Sequence, residues 1–311
     1  MPLDTADRAL LDLLHALRSR NYAFVTPTPA THARVVGRAD KQQARGLRDV
    51  FGWSLPFAAA DIDPEILRLL ESGGMLERDG ERLRSRIRVS SLNGWLFLHS
   101  AYPTTEEDAV FFGPDTYRFV AFIQAELADA GEGGQVVDIG AGSGAGGLVA
   151  AVSRPGARLL LSDVNAKALR LARINAAFAG VEAETREASG LDGLDGPIDI
   201  AIANPPYMVD SEDRAYRDGG GMHGAKLSLD WAKAAAGRLA SGGRLLMYTG
   251  AAVVDGHDPF REAVTAALEA AGCDCRYREL DPDVFGEELE REAYRDVERI
   301  AAVGLSAVKR T

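Results

Sequence analysis

The sequence predicts an α/β chain: a doubly wound, mostly parallel sheet preceded by a small helix-plus-hairpin domain. Three observations carry that prediction. Short apolar runs at Val136–Ile139, Ala157–Ser162 and Ile198–Ala203 are each followed at once by a glycine, an acid or an Asn-Pro stop. Continuous apolar runs of this length suit strands buried on both faces of a parallel sheet. Helical segments at Leu148–Val152 and Ala166–Ala179 separate them, as parallel strands need crossovers. The first hundred residues show a different order, helices and then alternating strands, and 311 residues suit two domains. We divide the chain into an accessory domain, 1–105, and an α/β domain, 106–311.

Composition excludes several classes. The chain is 46% hydrophobic and 26% charged, as globular proteins are. No run approaches the ~20 apolar residues of a membrane-spanning helix, so no membrane partner is expected. Met1-Pro2-Leu3-Asp4-Thr5 lacks the basic and apolar parts of a secretory signal, so a cytoplasmic location is expected. Cys273 and Cys275, one residue apart, suit neither a disulfide scaffold nor a four-ligand zinc site. His15, His32, His99 and His257 are scattered and imply no metal. The net charge of −11 is uneven: residues 1–100 hold 14 Lys and Arg against 12 Asp and Glu, and residues 101–311 hold 21 against 34. An acidic catalytic part argues against a surface coated in phosphate contacts.

In chain order, Leu10, Leu13, Leu14 and Leu17 fall at helical spacing within 5–20. A second helix is expected over Lys41–Val50. Asp63-Pro64 supplies a cap and a first-turn proline for a helix through Ile66, Leu67 and Leu70, which Gly73-Gly74 closes. Residues 75–78, an Asp79-Gly80 turn and Glu81–Val89 read as a hairpin, so the accessory domain is winged-helix-like. Its second strand carries Arg82, Arg84, Arg86 and Arg88 at period two, which places four guanidiniums on one face. That stripe either follows a phosphate backbone or acidic partner, or is a solvated face that discourages edge pairing. Gly94–Tyr102 reads as a further strand, ended by Pro103.

The stretch Val136-Val137-Asp138-Ile139-Gly140-Ala141-Gly142-Ser143-Gly144 is a strand running into a glycine loop, where the backbone can approach a ligand that a Cβ would exclude. Gly142-x-Gly144-x-x-Gly147 also fits a dinucleotide fingerprint, so a nicotinamide-dependent oxidoreductase competes. Asp138 favours a cationic ligand over a pyrophosphate, because a nearby acid repels the latter. Asp163, ending the next strand, can accept the ribose hydroxyls of either cofactor and can also cap the helix Ala166–Ala179. The strand Ile198–Ala203 is stopped by Asn204-Pro205-Pro206-Tyr207, since neither proline can donate to a ladder. It leaves an amide side chain, rigid carbonyls and an aromatic ring at the carboxyl end of a strand, where open α/β sheets place their crevice. Those groups can grip a planar NH2.

Asp138-x-Gly140-x-Gly142-x-Gly144, Asp163-Val164-Asn165 and Asn204-Pro205-Pro206-Tyr207 occur in that order. Together they resemble the class I S-adenosylmethionine-dependent methyltransferases that alkylate planar nitrogens. Among these are the bacterial small-domain enzymes, the release-factor glutamine methyltransferases and the amino-methylating DNA and rRNA enzymes. The resemblance spans about residues 108–311 and implies a seven-stranded Rossmann-like sheet. It implies that Asp138, Gly140 and Gly142 surround the methionine part of S-adenosylmethionine and that Asp163 holds the ribose. Asn204, also beside the cofactor, and the Pro205 carbonyl would then bind the acceptor NH2 against Tyr207. Phe112 lies in a segment that closes over the cofactor in those families. Where they carry an acid near adenine this chain has Ala188-Ser189-Gly190-Leu191, so Ser189 or Asp192 takes that place.

No general base is assigned to His223 or Asp210, because a nitrogen that gains a methyl group becomes strongly acidic. The glycine-rich stretch 219–224 is either a gate beside the site or a plain solvent loop. Cys275–Leu280 and Ile300–Val308 are expected as an antiparallel edge pair, with Glu287–Glu298 a solvated helix-like run between them. The leading expectation is methylation of a protein glutamine. The alternatives are an exocyclic amino group of rRNA or DNA, a small-molecule nitrogen, the oxidoreductase, and a non-catalytic binder on the same scaffold.

Overall fold

The computed structural model describes residues 3–209 and 217–311. The chain divides into two compact units that interleave in sequence. One holds residues up to Tyr117 with Gly142–Ala145 and Ala166–Glu182; the other holds Arg118–Ala141, Gly146–Asn165 and Ala183–Thr311. Among the described residues no helix is long and apolar enough to cross a membrane.

The first unit contains α1 (Thr5–Ser19), α2 (Pro29–Val36), α3 (Leu47–Phe51), α4 (Pro64–Ser72) and two hairpins, β1 (Leu76–Asp79) with β2 (Arg82–Ser85) and β3 (Ile87–Leu92) with β4 (Trp95–Ser100). Leu10, Leu13, Leu14 and Leu17 of α1 are fully buried with Ile66 and Leu70 of α4. Asp4 Oδ1 caps α1 by accepting from the Asp7 N–H at 2.8 Å, and Asp63 Oδ1 caps α4 through Glu65 N–H at 2.8 Å. Caps of this kind satisfy backbone donors that a helix start leaves open.

Two expectations for this unit fail. The helix over 41–50 shrinks to α3, because the Asp49 carboxylate accepts from Lys41 Nζ (2.9 Å) and the Arg45 N–H (3.0 Å) and wraps the preceding residues into a loop. The arginine stripe breaks at Arg86, whose N–H donates to the Met75 carbonyl (2.9 Å) between two separate sheets. Arg82 and Arg86 are exposed and Arg84 is half-buried, but Arg88 is buried. Its Nε donates to the Gly52 carbonyl at 2.8 Å, its guanidinium lies 5.5 Å from the Phe24 ring centroid, and burial lowers its pKa to about 10. Nearly all of β3 is covered, so strand alternation no longer sorts solvent from core. Two hairpins thus replace the single one of the winged-helix-like reading.

The second unit is built on a seven-stranded sheet in the order β10-β11-β9-β8-β5-β6-β7. It begins within α5 (Pro114–Glu126) and continues through β5 (Gln135–Ile139), α6 (Ala145–Val152, from Gly146) and β6 (Arg158–Asp163). The intervening helix α7 (Ala166–Ala179) belongs to the first unit. Then follow β7 (Ala183–Glu187), β8 (Ile198–Ala203), α8 (Lys226–Ala236), β9 (Leu239–Val253), α9 (Pro259–Ala270), β10 (Cys273–Asp281) and β11 (Arg299–Lys309). Strands β7, β6, β5, β8 and β9 are parallel neighbours, and β11 runs antiparallel between β9 and β10. The edge pair is therefore as expected.

The run 287–298 is not a solvated helix. It forms two short 3₁₀ turns, Gly286–Glu290 and Glu292–Tyr294, with Glu288 and Tyr294 buried. The Glu288 carboxylate pairs with Arg217 and, at 2.7 Å, with Arg291, which offsets the cost of burying it.

Candidate active site

Register brings the motif residues into one row. Ile139 of β5 pairs with Ala203 of β8 and with Ser162 of β6, and Asp163 pairs with Glu187 of β7. Gly140, Asn204, Asp163 and the turn 188–190 therefore lie at the same edge of the sheet, at its carboxyl ends. Among open α/β sheets this edge is where ligands bind.

At β5, Asp138 is buried and its Oδ2 accepts from the Gly147 N–H of α6 at 2.8 Å. Burial pushes its carboxyl up to about 7 against the pull of that N–H, and Asp163 adds to the rise. The N–H groups of Gly140 and Ala141 both donate to the Ser162 carbonyl, at 2.8 and 2.9 Å. Gly140 has φ +69°, and a Cβ there would lie 2.6 Å from the Trp231 ring. Only glycine fits both demands. Asp163 is half-buried, and its Oδ1 accepts from the Asn165 N–H at 2.9 Å, which shapes the turn into the following helix. Ser189 and Asp192 are exposed.

At the end of β8, Asn204 is half-buried and its Oδ1 is buried without a hydrogen-bond partner among the described residues. A buried acceptor left unpaired costs roughly 1–3 kcal/mol, so its retention points to a ligand donor. Pro205 is buried, and Tyr207 is 8% exposed. One side of the Tyr207 ring is set against Gly250 of β9, where a Cβ would lie 2.3 Å from it, and the Phe285 ring centroid is 6.1 Å away. Tyr207 is thus anchored by the sheet itself.

The segment beyond the motif is packed. Met208 forms a parallel bridge with Asp218, and its N–H and carbonyl bond to Arg217 (3.1 Å) and Gly219 (2.8 Å). A Cβ at Gly219 would meet the Gly224 and Pro206 carbonyls, and one at Gly224 would meet the Tyr207 carbonyl at 2.3 Å. The glycine-rich stretch is therefore no plain solvent loop; it lies backbone against backbone on Pro206–Met208. The Val209 N–H donates to Tyr294 Oη at 2.7 Å, and His223 Nε2 lies 3.2 Å from Asp296 Oδ1. Asp210 lies outside the described residues. The 3₁₀ segment thus holds both Val209 and Arg217.

Phe112 and Gly142 belong to the first unit. Phe112 is buried, stacked on His99 with centroids 5.0 Å apart, whereas Phe111 is the exposed neighbour. Gly142 has φ +54°. In the same unit Asn175 accepts from the Leu98 N–H (2.8 Å) and donates to the Leu98 and Ser143 carbonyls (3.1 and 2.9 Å). The sequence offered no sign of Asn175, Trp231, Gly250 or Tyr294, because none belongs to a motif. Among the described residues no cluster of His, Cys, Asp or Glu could hold a metal ion.

Fold and edge together define a class I methyltransferase. The strand ends suit S-adenosylmethionine: an acid at each of two neighbouring strands and an orphaned acceptor beside them. Comparison with known proteins gives the family. Residues 119–268 match the methyltransferase small domain. A release factor glutamine methyltransferase of Deinococcus radiodurans is 30% identical over 212 residues, covering 67% of this chain and 74% of that protein. Two further relatives of that name are spanned over 48% and 54% of their length. A ribosomal RNA small subunit methyltransferase C of Pseudomonas aeruginosa is 28% identical over 155 residues, covering 50% of this chain and 40% of that one. In fold, the chain is similar to Trm5b of Pyrococcus abyssi, with TM-score 0.50 and 16% identity over 79% of this chain and 68% of that one. The chain belongs to the methyltransferase small domain family and is an S-adenosylmethionine-dependent N-methyltransferase. The nicotinamide reading of its glycine loop is set aside.

Proposed function

We propose that the protein methylates the side-chain amide nitrogen of a glutamine in a protein acceptor. The observation that carries this is the orphaned Oδ1 of Asn204, held at a strand end ahead of two prolines. An amide nitrogen is a poor nucleophile because its lone pair is delocalised. Its two hydrogens find two acceptors here, Asn204 Oδ1 and the Pro205 carbonyl. Bonding to both draws the lone pair out of conjugation and aims it at the methyl carbon. S-adenosylmethionine supplies an electrophilic methyl on a sulfonium. The chain's part is position and electrostatics: Asp163 takes the ribose hydroxyls, Gly140 lets the methionine part approach, and Asp138 orders the loop through Gly147. The proton leaves to solvent without a dedicated base.

Charge favours a protein over a nucleic acid. The segment 281–298, which holds the residues next to Tyr207, carries eight Asp and Glu against two Arg. Such a rim repels a phosphate backbone, and burial of Arg88 removes one member of the stripe that favoured one. The name of the Deinococcus relative points the same way. The second reading, an exocyclic amino group of rRNA or DNA, rests on the Pseudomonas relative. Labelled methyl transfer into fractionated lysate decides between them. Label in a protein band, lost when the acceptor glutamine becomes asparagine, is the expected result; label in RNA or DNA overturns the reading, and label in a small-molecule fraction does so as well.

A further inference from the structure

We propose that Trp231 of α8 forms an aromatic wall of the adenosine slot. This rests on the S-adenosylmethionine reading. The indole reaches from the end of β5 to the turn after β7. A Cβ at Gly140 would lie 2.6 Å from its Cη2, and one at Gly190 would lie 3.4 Å from its Nε1. Between those strands runs β6, ending in Asp163, the acid that suits a ribose. The Ser162 hydroxyl donates to the Gly190 carbonyl at 3.2 Å and holds the turn in place.

Two features set this corner of the unit apart from ordinary core. Trp231 is half-buried, although it packs on the second unit's core. And Val164, directly after Asp163, is 54% exposed. An acid for ribose is thus flanked by an apolar side chain on one strand end and an aromatic ring on α8. A purine needs this arrangement: two flat faces to cover and a polar edge to meet a donor. The glycines at 140 and 190 keep the indole close to the strand ends, because any side chain there would displace it.

The test is titration of S-adenosylhomocysteine into wild type, Trp231→Phe and Trp231→Ala, by calorimetry and intrinsic fluorescence. The chain has three tryptophans, Trp53, Trp95 and Trp231, so the phenylalanine variant isolates the signal. Wild type should show saturable quenching, and Trp231→Phe should lose it while binding several-fold more weakly. Trp231→Ala should bind roughly 5- to 150-fold more weakly, the range of one base–aromatic contact. Quenching that persists in Trp231→Phe, or affinity within twofold of wild type in Trp231→Ala, overturns the proposal. Should the alanine variant not fold, the phenylalanine variant decides alone. If wild type binds no S-adenosylhomocysteine, the cofactor reading fails instead.

Discussion

Asp138 and Asn204 stand on neighbouring strands, yet the chain treats them in opposite ways. Asp138 is fully covered and its Oδ2 is occupied by the Gly147 N–H. Asn204 is half-buried, and its Oδ1 has no hydrogen-bond partner among the described residues. The side we propose for the cofactor is finished by the protein's own backbone; the side we propose for the acceptor is left incomplete. The support differs too. Around Asp138 it comes from residues a few positions away, whereas the Asn204 segment is held from far along the chain, by Gly250, Phe285, Glu288 and Tyr294. A pre-satisfied site needs little reorganisation to bind a constant ligand, and an orphaned acceptor is stabilised only when the right donor arrives.

Four experiments break or sharpen that contrast. The largest effect belongs to Asn204→Ala, which should lower kcat at least about a hundredfold, while the Kd for S-adenosylhomocysteine stays near the wild-type value. Activity restored merely by raising the cofactor concentration would place Asn204 on the cofactor side and undo the contrast. Asp163→Ala should do the reverse. Loss of hydrogen bonds from an ionised acceptor weakens cofactor binding by roughly 10- to 150-fold, read by calorimetry.

The third experiment is pH dependence. With its carboxyl raised to about 7, Asp138 holds a proton in the folded protein at pH values where the unfolded chain has released it. Stability of the free protein should therefore fall as pH rises from about 4 to about 7. A cationic ligand favours the ionised form, so S-adenosylmethionine affinity should climb through pH 7, by at most about tenfold per unit for one proton. Asp138→Asn should flatten both profiles; a wild-type affinity independent of pH between 6 and 8 would contradict the coupling. The smallest effect is expected for Tyr294→Phe. Leaving the Val209 N–H unpaired costs about 1–3 kcal/mol, measurable as a lower denaturation midpoint, and kcat should drop a few-fold with KM for S-adenosylmethionine unchanged. A rise in that KM instead would mean that the 3₁₀ segment serves the cofactor.

Much of the second unit could be read without coordinates. β8 spans Ile198–Ala203 and α7 spans Ala166–Ala179, as periodicity indicated. Strands β5, β6 and β8 each announce themselves by an apolar run and a stop residue, and each motif is contiguous at a strand end. The first unit was harder. Four arginines at period two read as one face, but the spacing carries no record of the break at Arg86 or of what covers β3. The acidic run 287–298 looked solvated because eight of its twelve residues are charged, yet pairing of Glu288 with Arg217 and burial of Tyr294 draw it inward.

The sequence by itself determined the row of strand ends: Asp138, Gly140, Asp163, Asn204 and Pro205 are set there by backbone conformation and side-chain type, both of which are local properties. Only the tertiary structure decided that Trp231 lies against Gly140 and Gly190, that Gly250 seats Tyr207, that Tyr294 meets Val209 and that Arg88 is buried. Those contacts join residues some 30 to 90 positions apart, and packing over such separations is set by the fold's geometry, which no local pattern of residues encodes.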